Sequence, residues 1–238
     1  EQNIMKRGSR YTIGNPKIFR AEISSRYPDG LESVINFERD SSRHLGVKSL
    51  RDAKLSRKKY PTVQVSIKDT SKVTIEGKYA PNGIEDFSLS VLVDSLSQWN
   101  VEGKIVLIEN QEPYLRSSSI FKDASVIICY NGRVNDKISK WIHESDLEVI
   151  ICPDYDPVGL DEYWKLKSKI GARVSVFLPE SICEDFQYST PGLLGKKKNR
   201  EVLQRLANIK NLDKDGNLIL SLIQKWNAGL IQEIYFSD

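Results

Sequence analysis

Near-continuous runs of apolar residues alternate with amphipathic stretches through the second half of the chain. The apolar runs occupy residues 104–110, 125–131, 148–154 and 173–179. Between them, residues 134–145 and 159–171 show the apolar spacing of helices. Runs rich in β-branched residues, without polar alternation, are typical of strands buried on both faces. The pattern therefore predicts an α/β fold, with a parallel sheet flanked by helices.

Residues 1–83 show a different pattern, of helices followed by a hairpin. An Asn-Pro start and apolar spacing predict a helix over residues 15–27, and a second helix is predicted from Gly30 to about His44. The alternating runs 62–67 and 72–79 predict a β-hairpin. These elements are compatible with a winged-helix-like DNA-binding unit, and equally with any small α+β domain.

The pattern changes near residue 84, so the predicted domains are residues 1–83 and residues 84–238. The second domain begins with a predicted amphipathic helix over residues 84–99. It ends with a basic segment leading into a helix over residues 192–209, and with a closing helix or helix pair over residues 217–236. A small basic α+β domain is thus expected to precede the α/β domain.

Charge is unevenly distributed along the chain, although the total is only +3. Residues 1–60 hold 14 Lys and Arg against 7 Asp and Glu, so the rest of the chain carries a net charge of −4. A basic segment joined to an acidic one suits a protein that attracts phosphates with one part and holds cations with another. A solvated basic face is an equally good interpretation.

The cysteines and the hydropathy of the sequence argue against a disulfide-rich, zinc-binding or membrane-spanning protein. The three cysteines, Cys129, Cys152 and Cys183, are scattered, and the first two lie in apolar runs. This predicts small buried side chains rather than a disulfide framework or a zinc site. No apolar run approaches the roughly 18 residues of a membrane span, and we expect a cytoplasmic protein.

Acidic residues follow two of the predicted strands. Glu109 ends the run 104–110, and Asp154 with Asp156 ends the run 148–154. In a parallel sheet these carboxylates project from the same edge, where their repulsion costs stability unless a cation lies between them. Oxygen ligands without His or Cys favour Mg²⁺ or Mn²⁺ over zinc. The alternative is that Asp154 caps the loop and that Asp156 caps the helix starting near Gly159.

Glu at the end of a first strand and Asp-x-Asp-x-x-Gly at the end of a later one resembles the Toprim domain of topoisomerases, bacterial primases and related nucleases. Residues 100–236 resemble more narrowly the C-terminal Toprim domain of JetD, the nuclease subunit of Wadjet anti-plasmid systems, itself similar to the A subunit of type VI topoisomerases. The matching pieces are VLIENQEPYL, ICYNGRVND, CPDYDPVGLDEYWKLK and GLIQEIYF. They lie within somewhat more than half of the chain.

The resemblance implies a DNA endonuclease that depends on Mg²⁺ or Mn²⁺. Glu109 would be the general acid/base or a metal ligand, Asp154 and Asp156 would be metal ligands, and Glu112 and Glu233 are further candidate acids. The candidates for DNA binding are basic side chains, namely Arg133, Arg57, Lys58, Lys59, Lys196, Lys197 and Lys198. The implied partners are DNA, a condensin-like ATPase complex and a second copy of the chain, in anti-plasmid defence.

The chain departs from these relatives in two respects. Its N-terminal region is short, and it lacks the tyrosine-bearing motif through which type VI topoisomerases form a covalent link to DNA. Hydrolysis is therefore favoured over transesterification. A phosphatase of the haloacid dehalogenase type is an alternative, because DYDPV also matches its Asp-x-Asp motif, although that family carries the motif on the first strand. A non-catalytic DNA-binding subunit with a Toprim core is another alternative.

Overall fold

The computed structural model describes residues 4–7, 10–26, 61–85, 87–209 and 211–236. The chain divides into two compact units, Glu1–Tyr60 and Pro61–Asp238. The boundary near residue 60 differs from the predicted one at 83/84, because the strands after residue 61 belong to the second unit. The helix predicted over residues 30–44 lies outside the described residues.

The first unit contains a short hairpin and one helix within its described part. Strand β1 (Ile4–Arg7) pairs antiparallel with β2 (Arg10–Ile13), and helix α1 (Pro16–Arg26) follows. The Asn15 side chain accepts hydrogen bonds from the backbone N–H groups of Lys17 and Ile18, at 3.1 and 3.2 Å. Asn15 thus caps the first turn and Pro16 occupies the first helical position, so the predicted helix over residues 15–27 is confirmed.

The second unit is built on a six-stranded mixed sheet. The strands of this unit are β3 (Thr62–Ile67), β4 (Val73–Ile75), β5 (Lys78–Tyr79), β6 (Leu89–Leu92), β7 (Trp99–Val101), β8 (Lys104–Ile108), β9 (Val126–Cys129), β10 (Glu148–Cys152) and β11 (Val174–Val176). The large sheet has the order β11-β10-β8-β9-β3-β6. Strands β8 to β11 are parallel to one another. Strand β3 pairs antiparallel with β9, and β6 pairs antiparallel with β3 at the outer edge.

Helices cover both faces of this sheet. They are α2 (Gln111–Arg116), α3 (Asp136–Glu144), α4 (Pro157–Ile170), α5 (Ile182–Asp185), α6 (Lys197–Ala207) and α7 (Lys214–Trp226). Successive residues of a strand point to opposite faces. Ile108 of β8 belongs to one apolar cluster with Tyr114 of α2, and Leu107 belongs to another with Ile138 of α3 and Leu160 of α4. The predicted α/β class and the parallel strands 104–110, 125–131, 148–154 and 173–179 are confirmed.

The predicted hairpin of residues 62–67 with 72–79 is wrong. Strand β3 pairs with β9 and β6 in the large sheet, while β4 pairs with β5 and β7 in a separate three-stranded sheet. The alternation of the 62–67 run is real, since Val63, Val65 and Ile67 are buried and the residues between them are not. The alternation shows which residues of β3 face the core. It does not specify which strand pairs with β3, and in the fold that strand is β9.

The predicted helix over residues 84–99 is also wrong. Residues Leu89–Leu92 form edge strand β6, a 3₁₀ helix spans Val93–Gln98, and β7 begins at Trp99. Pairing with β3 supplies backbone hydrogen bonds to β6, and Val91 is buried there. Tertiary pairing overrides local helical spacing in this segment.

No helix in the described part of the chain has the length and apolar character that a membrane span requires.

Candidate functional site

The strand order places the end of β8 beside the end of β10. Helix α2, in the connection that follows β8, packs on one face of the sheet, whereas α3 and α4, in the connections that flank β10, pack on the other. In α/β sheets the crevice between strands whose connections leave to opposite faces is the usual ligand site. Glu109 directly follows β8 and Asp154 follows β10 by two residues, so both lie at this crevice.

Glu109 and Asp154 are joined by a hydrogen bond across the crevice. The backbone N–H of Asp154 donates to Oε2 of Glu109 at 3.1 Å. Oδ1 of Asp154 accepts from the backbone N–H of Gln232 at 3.0 Å and from Nδ2 of Asn110 at a longer 3.5 Å. The structure thus brings together the two acids that the sequence placed on different strands.

Burial raises the pKa of Glu109 to about 7. The hydrogen bond from Asp154 N–H opposes this rise, and the charges of Asp154, Asp156 and Glu162 add to it. A carboxyl group with a pKa near the working pH is roughly half protonated there, which suits a general acid or base. The rise in the pKa therefore comes mainly from burial of the carboxyl group, and the neighbouring acids contribute the smaller part.

Asp156 caps helix α4. Its Oδ1 accepts from the backbone N–H groups of Val158 and Gly159, both at 2.8 Å, and Pro157 occupies the first turn. The capping alternative is therefore confirmed for Asp156. Burial raises the pKa of Asp156, and the positive charge of Lys198 opposes that rise. The second carboxylate oxygen of Asp156 makes no hydrogen bond to any described residue.

Gly159 lets helix α4 pack directly on the acidic loop. A Cβ atom at residue 159 would lie 2.0 Å from the carbonyl oxygen of Asp154, which is far inside van der Waals contact. The last position of the Asp-x-Asp-x-x-Gly string thus requires glycine for steric reasons. Its role is to hold the first turn of α4 against the backbone of Asp154.

Residues 228–232, here called the C-terminal strap, hold the acidic loop from the other side. Tyr155 and Leu230 exchange two backbone hydrogen bonds, at 2.8 and 3.2 Å, and Gln232 N–H bonds Asp154. A Cβ atom at Gly229 would lie 3.0 Å from that of Asp156. Residues 154 to 156 of the loop are therefore fixed by a segment that is distant from them in the chain.

The donor set of this crevice fits a hard divalent cation. No group of three or more His, Cys, Asp or Glu side chains among the described residues is arranged as a metal cluster. Glu109 and Asp154 nevertheless form a pair, and Mg²⁺ usually takes only one or two carboxylates from a protein and keeps several waters. Each of the two keeps one oxygen that accepts no hydrogen bond from the described part of the chain. Oxygen donors alone fit Mg²⁺ or Mn²⁺.

Two other predicted acids stand apart from this pair. Glu112 lies on α2 with its side chain 65 % exposed, and it pairs with Arg116 at 3.2 Å. It makes no described contact with Glu109 or Asp154, and its assignment as a metal ligand stays a prediction. Glu233 follows the C-terminal strap and is partly buried, and its Oε2 has no hydrogen-bond partner among the described residues.

The predicted basic residues lie at different places. Arg133 is largely exposed and contacts Glu162, with Nη1 and Oε1 3.8 Å apart. Lys196, Lys197 and Lys198 are exposed at the start of α6, and of these Lys198 is close enough to act on the charge of Asp156. Arg57, Lys58 and Lys59 lie outside the described residues.

Sequence reasoning missed Glu162, although a signal for it exists. This residue on α4 is only 6 % exposed, and its charge acts on Glu109. It lies three residues after Gly159, on the same face of the helix, and Gly159 faces the acidic loop. An acid at that spacing could have been assigned to the crevice. Lys165 contacts Glu162 at 3.5 Å and balances part of its charge.

No protein-family model matches the chain, and a search of curated proteins finds no match.

Proposed function

We propose that the second unit is a phosphodiesterase that hydrolyses DNA and depends on Mg²⁺ or Mn²⁺. The observation that supports this most directly is the Glu109–Asp154 pair at the switch-point crevice, where burial raises the pKa of Glu109 to about 7. The resemblance to Toprim domains carries the finer proposal, a Toprim-type endonuclease of a Wadjet-like anti-plasmid system. Its cytoplasmic location, a second copy of the chain and a condensin-like ATPase complex belong to the same proposal.

The residues of the crevice divide the chemistry between them. Glu109 and Asp154 would hold the cation together, and Glu109 must lose its proton to do so, which its pKa of about 7 places near neutral pH. Asp154 is held by donors from the strap and from Asn110, so its carboxylate keeps a fixed orientation. When bound there, Mg²⁺ or Mn²⁺ would polarise the phosphodiester and lower the pKa of an attacking water. Asp156 holds α4 and, through it, the loop.

Basic side chains near the crevice supply the attraction for DNA. Lys198 lies close to Asp156, and Lys196 and Lys197 precede it at the start of α6. Contacts of Lys and Arg with phosphates bind DNA without reading its sequence, and they weaken as salt rises. The basic segment 1–60, including Arg57, Lys58 and Lys59, would extend this binding, in line with a winged-helix-like role for that part.

The test is cleavage of supercoiled plasmid by the purified chain in Mg²⁺ and in Mn²⁺. Glu109→Ala and Asp154→Ala are expected to abolish nicking while the fold is retained, as judged by circular dichroism. Glu112→Ala is the matched control, because that acid is exposed and paired with Arg116, and it should nick like the wild type. Undiminished nicking by both crevice variants would overturn the proposal, and DNA binding without any wild-type nicking would indicate a non-catalytic subunit.

The phosphatase alternative has less support. Asp154 follows β10, the third of the four parallel strands in chain order, whereas phosphatases of the haloacid dehalogenase type carry the nucleophilic Asp on the first strand. Oδ1 of Asp154 is moreover occupied by the N–H of Gln232. Hydrolysis of a generic aryl phosphate, lost in Asp154→Asn, would be the result in favour of that alternative.

A further inference from the structure

Gln232 is a buried amide without a partner in the described part of the chain. The residue is 0 % exposed, and neither Oε1 nor Nε2 forms a hydrogen bond there. Burying an amide without hydrogen bonds is costly, and native proteins seldom leave one in that state without a water, an ion or a ligand to fill it. Packing alone therefore does not explain why an amide side chain is buried at residue 232.

Asn199 and Ser125 show how a buried polar side chain is ordinarily explained by the fold. Nδ2 of Asn199 donates to the carbonyl oxygen of Leu193 at 3.1 Å, and Oγ of Ser125 donates to that of Glu102 at 2.6 Å. Both side chains satisfy backbone groups of neighbouring segments and are explained by the fold. Gln232 satisfies none. Five other described residues of this unit also have one buried polar atom without a partner, but in Gln232 both polar side-chain atoms lack one.

The backbone of Gln232 places this residue at the acidic crevice. Its N–H donates to Oδ1 of Asp154 at 3.0 Å, and Leu230, two residues earlier, is bonded to Tyr155. The strap thus fixes Gln232 at the crevice through bonds that leave its side-chain amide unused. The backbone of Gln232 is held beside Asp154 by the same segment that positions the acidic loop.

An anionic substrate needs hydrogen-bond donors in a site made of carboxylates. Glu109, Asp154, Asp156 and Glu162 contribute only acceptors when ionised. Asn110 supplies an amide, but its Nδ2 is directed to Asp154. Two buried donors near these acids have no partner in the described part of the chain, the hydroxyl of Tyr130 and Nε2 of Gln232. Of these two residues, Gln232 is the one whose backbone is bonded directly to Asp154.

We propose that Gln232 is a substrate-binding residue, whose Nε2 donates a hydrogen bond to a non-bridging oxygen of the bound phosphodiester. This assignment rests on the function proposed above and names one of the groups that hold its substrate. This hydrogen-bond donor belongs to the C-terminal strap. The crevice of the parallel sheet therefore needs that segment in place to bind its substrate.

The test compares Gln232→Met with the wild type and with Gln224→Met, the same substitution on the exposed face of α7. A hydrogen bond to a charged group changes a rate or an affinity by about 10- to 100-fold, so plasmid nicking by Gln232→Met should fall by that factor. Its resistance to urea should match or exceed that of the wild type, because an unpaired amide is replaced by a side chain of similar shape. Gln224→Met should nick at the wild-type rate.

Two further measurements separate the possible outcomes. Mn²⁺ binding, followed by calorimetry without DNA, should be unchanged in Gln232→Met, since the amide binds substrate rather than metal. Gln232→Glu keeps the shape and removes the donor, so it should lose nicking at least as strongly. Wild-type nicking by Gln232→Met overturns this assignment alone. Loss of Mn²⁺ binding, or loss of stability in both variants, overturns it as well. If the wild-type chain does not nick DNA, the proposed function is wrong, and the assignment of Gln232 is wrong with it.

Discussion

Replacing Glu109 by Gln should make the chain more stable at alkaline pH while it removes activity. Burial raises the pKa of Glu109 from 4.5 to about 7 on folding. Between these two values the folded chain binds more protons at this position than the unfolded chain does. The free energy of unfolding therefore falls as pH rises from about 4.5 to about 7, and the loss stays constant above that range.

The size of this stability difference follows from the pKa shift of Glu109. A displacement of the pKa from 4.5 to about 7 corresponds to between about 3 and 4 kcal/mol, at about 1.4 kcal/mol per pKa unit. Because the carboxyl group is partly exposed, solvent screening reduces this to about 2 kcal/mol. The Gln side chain keeps an oxygen that can accept the hydrogen bond from Asp154 N–H, which is 3.1 Å long in the wild type. We therefore expect Glu109→Gln to exceed the wild type in stability by about 2 kcal/mol at pH 8, and to match it near pH 4.5.

Urea unfolding in EDTA at pH 4.5, 6 and 8, followed by tryptophan fluorescence, measures this difference. Glu112→Gln is the control, because that side chain is exposed in an ion pair with Arg116, and its stability should differ little from that of the wild type at each pH. A Glu109→Gln variant that is less stable than the wild type at pH 8 would refute the reasoning. A difference that does not change with pH would refute it equally.

Two more predictions concern the loop that carries the acids. Gly159→Ala should lower the free energy of unfolding by about 3 kcal/mol, because the new methyl group would meet the carbonyl oxygen of Asp154, and urea unfolding measures it. Asp156→Ala should lose about 1 kcal/mol of capping, whereas Asp156→Asn keeps the cap. If the carboxylate of Asp156 also serves the metal site, Asp156→Asn will retain stability and lose plasmid nicking.

Each of these predictions has an internal control. Gly195→Ala adds the same methyl group where no atom lies within 4 Å, so it should change stability by only a few tenths of a kcal/mol. Wild-type stability in Gly159→Ala would mean that α4 does not pack on Asp154 as described. Equal stability of Asp156→Ala and the wild type would contradict the cap.

The sequence was sufficient for the parallel strands because their signal is local. Strand β8 is a run of buried Ile, Val and Leu, and such a run can be recognised without knowing its neighbours. When four strands are parallel, their carboxyl ends must share one edge. This is why the apolar runs alone could place Glu109 and Asp154 together, and their hydrogen bond confirms that placement.

Long-range pairing could not be predicted in the same way. The run Thr62–Ile67 alternates correctly, but nothing in it specifies β9 rather than the next run as its partner. The C-terminal strap is a harder case, since it meets Tyr155 through an isolated bridge that leaves no period in the sequence. Gln232 was missed for that reason. A capping Asp and a metal-ligating Asp also use the same residue type, so only the hydrogen bonds of Asp156 to backbone N–H groups of α4 distinguish the two roles.

Calorimetric titration of Mn²⁺ into the purified chain is the most direct measurement on the central claim, that Glu109 and Asp154 hold a divalent cation for phosphodiester hydrolysis. We expect binding that is tighter at pH 8 than at pH 6, because Glu109 must lose its proton to act as a ligand. Asp154→Asn should weaken the affinity at least about tenfold. Absence of Mn²⁺ binding by the wild type, or equal affinity in Asp154→Asn, would contradict the account.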